Sequence, residues 1–98
     1  MIISSQRFLS EETVDEKKNQ FNGVSSISLP IWNAGVVDGM ELFVLADGHH
    51  RFEAAKRIGI AVEFEVVEHE AGLTGEELLN AEWMDSDYYD IQTGKNVW

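Results

Sequence analysis

The most constraining feature of this sequence is a mostly apolar run at residues 40–46 that leads directly into a helical pattern at residues 49–58. Turn residues bound the run, which predicts a strand that is buried on both faces. After Asp47-Gly48, small and apolar side chains recur three and four residues apart, as they do on one face of a helix. Gly59 is a typical residue to end that helix. The pattern therefore predicts a mixed fold of sheet and helices.

Shorter patterns predict the remaining elements. Capping-box spacings indicate helices, and alternation of polar and apolar residues indicates strands. The helices are expected at residues 11–21 and 75–84, and the strands at residues 26–32 and 62–66. Pro30 favours an edge position, or the start of its strand. Two interpretations stay open at each end: a short strand or an extended arm over residues 1–10, and a hairpin or an arm for a partner over residues 88–98.

Turns and isolated polar residues complete the pattern. Turn composition at residues 33–35 and 38–39 predicts chain reversals between the strands. His69 stands alone among acidic residues, which predicts a surface position.

The charge balance limits the partners of the chain. Its 98 residues include 18 acidic and seven basic ones, for a formal net charge of −11, and no cysteine. Direct nucleic-acid binding is not expected, because phosphate attraction needs a basic face. Without cysteine, thiol nucleophiles and cysteine-ligated zinc or iron–sulfur sites are excluded, and no haem is expected. No run approaches the roughly 20 apolar residues of a membrane span, so a cytoplasmic protein is expected.

The turn at residues 47–51 is the pattern with a chemical implication. The first amides of a helix lack intrahelical acceptors and lie at the positive end of its dipole, where anions bind. Gly48 lets an anion approach the backbone closely. His49, His50 and Arg51 add side-chain donors, and the imidazoles titrate near neutral pH. The sequence therefore predicts a phosphate-binding turn.

Simpler roles for these residues remain open. Asp47 is suited to cap the helix by accepting a hydrogen bond from the amide of His49 or His50. The two histidines also fit a solvated first turn. Arg51 also fits an ordinary ion pair with a carboxylate such as that of Glu53.

Residues 46–59 resemble the signature of the ParB/sulfiredoxin-like superfamily, in which a strand, a Gly-x-x-Arg-type turn and a helix with small residues follow one another. A looser match covers residues 24–68. The resemblance implies one α/β (α+β) domain over residues 1–98, with helices packed on a small mixed sheet. It also implies nucleotide binding, since members bind CTP (chromosome-partition proteins), ATP (sulfiredoxins) or ADP (free-serine kinases).

The Asp-Gly-His-His-Arg sequence of this turn is most similar to that of the kinase-like and uncharacterised members. On this resemblance, Gly48, His49, His50 and Arg51 contact phosphates, and Asp47 binds Mg²⁺ or accepts a proton from a substrate hydroxyl. Whether the chain turns over its ligand is open. If it does, phosphoryl transfer or nucleotide hydrolysis is implied, with Asp47, His49 and His50 as catalytic groups. Sulfiredoxin activity is excluded, because His49 stands where those enzymes carry their cysteine.

The C-terminal part of the chain predicts a different kind of surface. Residues 63–90 contain ten acidic residues and no Lys or Arg, and residues 74–98 combine an acidic helix with an aromatic tail. The candidate partner-binding residues are Trp83, Tyr88, Tyr89 and Trp98. Such a surface favours an alternative function: a non-catalytic interaction protein, either a phage-type inhibitor or DNA mimic of a nucleic-acid-binding enzyme, or a nucleotide-sensing regulatory partner. The chain is expected in the cytoplasm of a bacterial cell or a phage-infected host. A solvated acidic helix is the simpler interpretation.

Overall fold

The computed structural model describes residues 1–98 and contains five strands and three helices. In chain order these are β1 (Ile2–Ser4), α1 (Glu11–Gln20), β2 (Ser26–Val37), β3 (Met40–Leu45), α2 (His49–Ile58), β4 (Ala61–Val66), α3 (Gly75–Ala81) and β5 (Tyr89–Asp90). The strands form one sheet of order β4-β2-β3-β1-β5. The sheet is mixed, because β2–β4 and β1–β3 are parallel pairs and β2–β3 and β1–β5 are antiparallel. The predicted α/β (α+β) class is confirmed.

The core has two parts, which lie on opposite faces of the sheet. The α1/α2-side cluster combines residues of those two helices with β2 and β3: Val14, Phe21, Ile27, Leu29, Ile31, Leu45, Ala54 and Ala55. The α3-side cluster consists of Ile3, Ala34, Val37, Leu42, Val44, Leu78, Leu79 and Tyr88. Ala54 and Ala55 are fully buried, and their small side chains let α2 lie close to the sheet.

A β-bulge in β2 changes the face of the sheet onto which the last residues of the strand point. Leu29 and Ile31 point toward α1 and α2. The pairing with β3 then shifts register between Asn33 and Gly35, and Gly35 has a φ of +73°. The extra residue moves Val37 onto the opposite face, into the α3-side cluster. The turn predicted at residues 33–35 is therefore wrong, because these residues continue the strand.

The chain reverses instead at Asp38-Gly39, where a turn was also predicted. Both residues have positive φ, 50° and 79°, as two-residue hairpin loops require. Pro30 also differs from the prediction, because β2 lies between β4 and β3 rather than at an edge. The carbonyl of Pro30 accepts from Ala46 N at 3.0 Å, just past the end of β3. Pro30, which has no N–H to donate, therefore lies where the hydrogen-bond ladder between β2 and β3 ends.

The helix termini depart from the predicted caps. Ser10, rather than Thr13, caps α1, since its side chain accepts from Thr13 N at 3.4 Å. Thr74 precedes α3 but donates its hydroxyl to Ala34 O at 3.2 Å instead of capping the helix. At the C-terminus the hairpin alternative is confirmed, because Tyr89 forms an antiparallel bridge with Asn96.

Candidate functional site

The candidate site lies where β3 passes into α2. Gly48 is the N-cap of α2 and has a φ of +88°, in the left-handed region that favours glycine. A Cβ on Gly48 would lie 2.7 Å from Leu29 Cδ2. Both the backbone conformation and the available space therefore require glycine here. The predicted passage from buried strand through tight turn to helix is confirmed.

The start of α2 has no side-chain cap. Asp47 Oδ1 accepts from the adjacent Gly48 N at 2.7 Å and from no amide inside the helix. The capping role predicted for Asp47 is therefore wrong, because its carboxylate is turned back onto the preceding turn. The first intrahelical bond runs from Phe52 N to Gly48 O at 2.8 Å. The amides of residues 49–51 thus have no acceptor within the chain.

The residues that carry these amides line a cavity of about 330 Å³ that has no apolar lining residue. We call it the α2 cavity, and its lining consists of Gln6, Lys17, Asp47, Gly48, His49, His50 and Arg51. Arg51 and Lys17 take part in no ion pair. The ordinary ion pair considered for Arg51 is therefore not formed, and both cations remain available to an anion in the cavity.

His50 makes a structural contact in addition to lining the cavity. Its Nε2 accepts from Ser10 N at 3.1 Å, which leaves the ring proton on Nδ1. Because Ser10 is the N-cap of α1, this bond ties the start of α1 to the start of α2. Only Nδ1 of His50 is left to donate to a ligand.

His49 lies between the α2 cavity and a second cavity of about 160 Å³, which we call the β1 cavity. Its Nε2 is 2.7 Å from the Oγ of Ser4. Burial lowers the pKa of His49, Asp47 and Asp85 oppose that shift, and His50 adds to it. The imidazole is therefore uncharged at neutral pH.

Two residues at this site were not found from the sequence. Ser4 arrives through the parallel pairing of β1 with β3, and Lys17 through the packing of α1 beside α2. Neither residue lies in a motif. Composition gives a signal for Lys17, which is one of seven basic residues in an acidic chain, but none for Ser4.

No group of three or more His, Asp or Glu residues is arranged to hold a metal ion. Asp47 is the only carboxylate in the lining of the α2 cavity. A Mg²⁺ ion there would combine Asp47 with phosphate oxygens and water, a donor set that this cation commonly takes.

The four aromatic residues predicted to bind a partner differ in exposure. Tyr88 is 1% exposed and donates its hydroxyl to Leu79 O at 2.7 Å. Its prediction as a partner contact is therefore wrong, because the side chain fills the α3-side cluster. Tyr89 and Trp98 are half-buried, whereas Trp83 is 56% exposed. Trp83 alone presents most of its surface to solvent.

His69 is not the surface residue that the sequence predicts. Its Nδ1 accepts from Ala71 N at 3.2 Å, so the ring proton lies on Nε2 and is donated to Glu82 Oε1 at 2.8 Å. The ring also packs edge-on against Trp32, with 4.9 Å between ring centroids. His69 therefore holds the loop before α3 against the body of the protein.

Comparison with known proteins returns no match among family models, curated proteins or solved structures. No helix of the structure combines the length and apolar character that crossing a membrane requires.

Proposed function

We propose that this chain binds the phosphates of a nucleotide in the α2 cavity. The observation that carries the proposal is that residues 49–51, whose amides have no acceptor within the chain, line a polar cavity that also contains two unpaired cations, Lys17 and Arg51. Helix N-termini bind anions through these amides and the helix dipole. Arg51 is suited to bidentate contact with a phosphate, and Lys17 supplies a point charge. A cavity that combines unpaired cations with amides lacking an acceptor favours an anionic ligand, even though the whole chain has a net charge of −11.

The proposal includes membership of the ParB/sulfiredoxin-like superfamily, supported by the resemblance of residues 46–59. That resemblance favours ATP, ADP or CTP as the source of the phosphates. Asp47 would then hold Mg²⁺ together with the phosphate oxygens. The residues of the site are suited to phosphoryl transfer or nucleotide hydrolysis. The amides and Arg51 offset negative charge on the transferring group, and the neutral His49 accepts a proton.

Isothermal titration calorimetry with Mg²⁺ and ATP, ADP or CTP tests the proposal. We expect Arg51→Ala to weaken binding by about 10- to 100-fold, because it removes charge-assisted hydrogen bonds. Lys17→Ala is expected to weaken binding as well. The matched control is Lys18→Ala, because Lys18 is paired with Asp15 at 3.7 Å and does not line the cavity. Failure of the wild-type chain to bind any of these nucleotides would contradict the proposal.

A second candidate function is an acidic interaction surface for a nucleic-acid-binding protein. Trp83 and Met84 are 56% and 53% exposed, and they lie within the segment of residues 63–90 that has no Lys or Arg. Exposed apolar side chains in an acidic segment fit a basic partner. Recovery of nucleic-acid-binding enzymes from host lysate should be lost with Trp83→Ala and kept with Arg51→Ala. Equal recovery by the two variants speaks against this surface.

A further inference from the structure

We infer that Ser4 is a phosphoryl acceptor, which receives the terminal phosphoryl group of a nucleoside triphosphate while His49 takes the serine proton. The inference rests on the proposed function, since it needs the phosphates of the nucleotide in the α2 cavity. It goes further by naming the nucleophile, the base and a covalent product.

Ser4 and His49 have the geometry of a nucleophile and its base. Ser4 Oγ and His49 Nε2 are 2.7 Å apart, within the range of activated serine–histidine pairs. Ser4 Oγ also accepts from Gln6 N at 3.0 Å. Because that bond uses a lone pair, the hydroxyl proton is available to His49 Nε2. The Gln6 amide also stabilises negative charge that develops on the oxygen.

The imidazole has a nitrogen placed to act as the base, because His49 Nε2 forms a hydrogen bond with Ser4 Oγ and with no other group. With its proton on Nδ1, Nε2 accepts the proton of Ser4.

The Ser4–His49 pair lies beside the proposed phosphate site. Ser4 and His49 both line the β1 cavity. That cavity shares Gln6, Asp47 and His49 with the α2 cavity, so the two are adjacent. Ser4 itself is only 1% exposed, and this shielding favours transfer to its oxygen over attack by bulk water.

The chemistry of the step balances. A bond forms between Ser4 Oγ and the terminal phosphorus, while the bond from that phosphorus to its bridging oxygen breaks. The nucleoside diphosphate leaves with the electron pair of the broken bond, and the serine proton passes to His49 Nε2. The products are phosphoserine at residue 4 and a nucleoside diphosphate.

Ser5 supplies a matched control. It is 2% exposed, and its Oγ accepts from Met84 N at 2.8 Å. Ser5 therefore shares the burial and sequence context of Ser4 but has no imidazole beside its hydroxyl.

The test incubates the full chain with Mg²⁺ and ATP, and separately with CTP, and maps phosphate by mass spectrometry. We expect one phosphoryl group on Ser4 in the wild type and in Ser5→Ala, and none in Ser4→Ala. In His49→Gln, which keeps a polar side chain but removes the base, transfer should slow by about 10²-fold or more. Nucleotide binding, measured by calorimetry, should persist in Ser5→Ala.

The outcomes separate the inference from the proposed function. A wild-type chain that binds nucleoside triphosphate but gains no phosphate, or gains it only on another residue, overturns the role of Ser4 and leaves nucleotide binding intact. A wild-type chain that binds no nucleotide overturns both. Fragment mapping on the wild type decides the question even where Ser4→Ala fails to fold.

Discussion

Gly48 is subject to two independent constraints, a φ of +88° and close contact with the buried Leu29. A side chain in the left-handed region costs about 1–3 kcal/mol, and the contact of Cβ with Leu29 adds to that cost. Gly59 has a φ of +80° but no atom within 4 Å of an added Cβ. A side chain at Gly59 therefore costs only the strain of the left-handed backbone. We expect Gly48→Ala to lower the free energy of unfolding in urea by more than Gly59→Ala does. Equal losses would mean that Leu29 moves aside without cost.

His49 makes stability depend on pH. Burial lowers its folded-state pKa below the ordinary value of 6.5, so the unfolded chain binds more protons between the two values. The contribution of His49 to the free energy of unfolding is fully present above pH 6.5, and it is lost as the pH falls through the folded-state pKa.

We expect His49→Gln to flatten the decline in the free energy of unfolding between about pH 7 and about pH 5. Glu11→Gln serves as the control, because the Arg57 hydrogen bond lowers the pKa of Glu11 from a value of 4.5 that already lies below this window. The explanation fails if the wild type and His49→Gln show the same slope.

At the scale of elements, α3 depends on its packing. It has seven residues, fewer than the roughly 12–15 that an isolated helix needs even for marginal stability. Leu78 and Leu79 are fully buried in the α3-side cluster. We expect Leu79→Ala to lower the free energy of unfolding by about 2–5 kcal/mol. Asn80→Ala, at an exposed position of the same helix, should change it by no more than about 0.5 kcal/mol. Similar effects of the two substitutions in urea denaturation would rule out this dependence.

Local periodicity predicts the elements well but not their relative placement. The helix at residues 49–58 has the bounds that the structure shows. The β-bulge at Gly35 and the central position of Pro30 are not predictable in this way. Both depend on which strand lies alongside β2 and where that neighbour ends, and a pattern within one strand does not encode its neighbour.

At the scale of the whole molecule, the net charge of −11 opposes the compact state. Raising the ionic strength from about 0.01 M to about 1 M shortens the Debye length from roughly 30 Å to roughly 3 Å and screens this repulsion. We therefore expect the melting temperature to rise over this range of NaCl concentration, in calorimetric scans without nucleotide. A melting temperature that falls with NaCl would show instead that attractive ion pairs such as Arg57 with Glu11 dominate.

The amino-acid sequence by itself determined the α/β class and the strand–turn–helix unit at residues 40–59, because apolar periodicity and the freedom of glycine act over a few neighbouring residues. Only the tertiary structure decided that Asp47 leaves the start of α2 uncapped, that His50 holds Ser10, and that Ser4 and Lys17 reach the site. Most of these contacts join residues far apart in the chain, so they follow from strand order and helix packing. The direction of the Asp47 carboxylate depends on the backbone of the Gly48 turn.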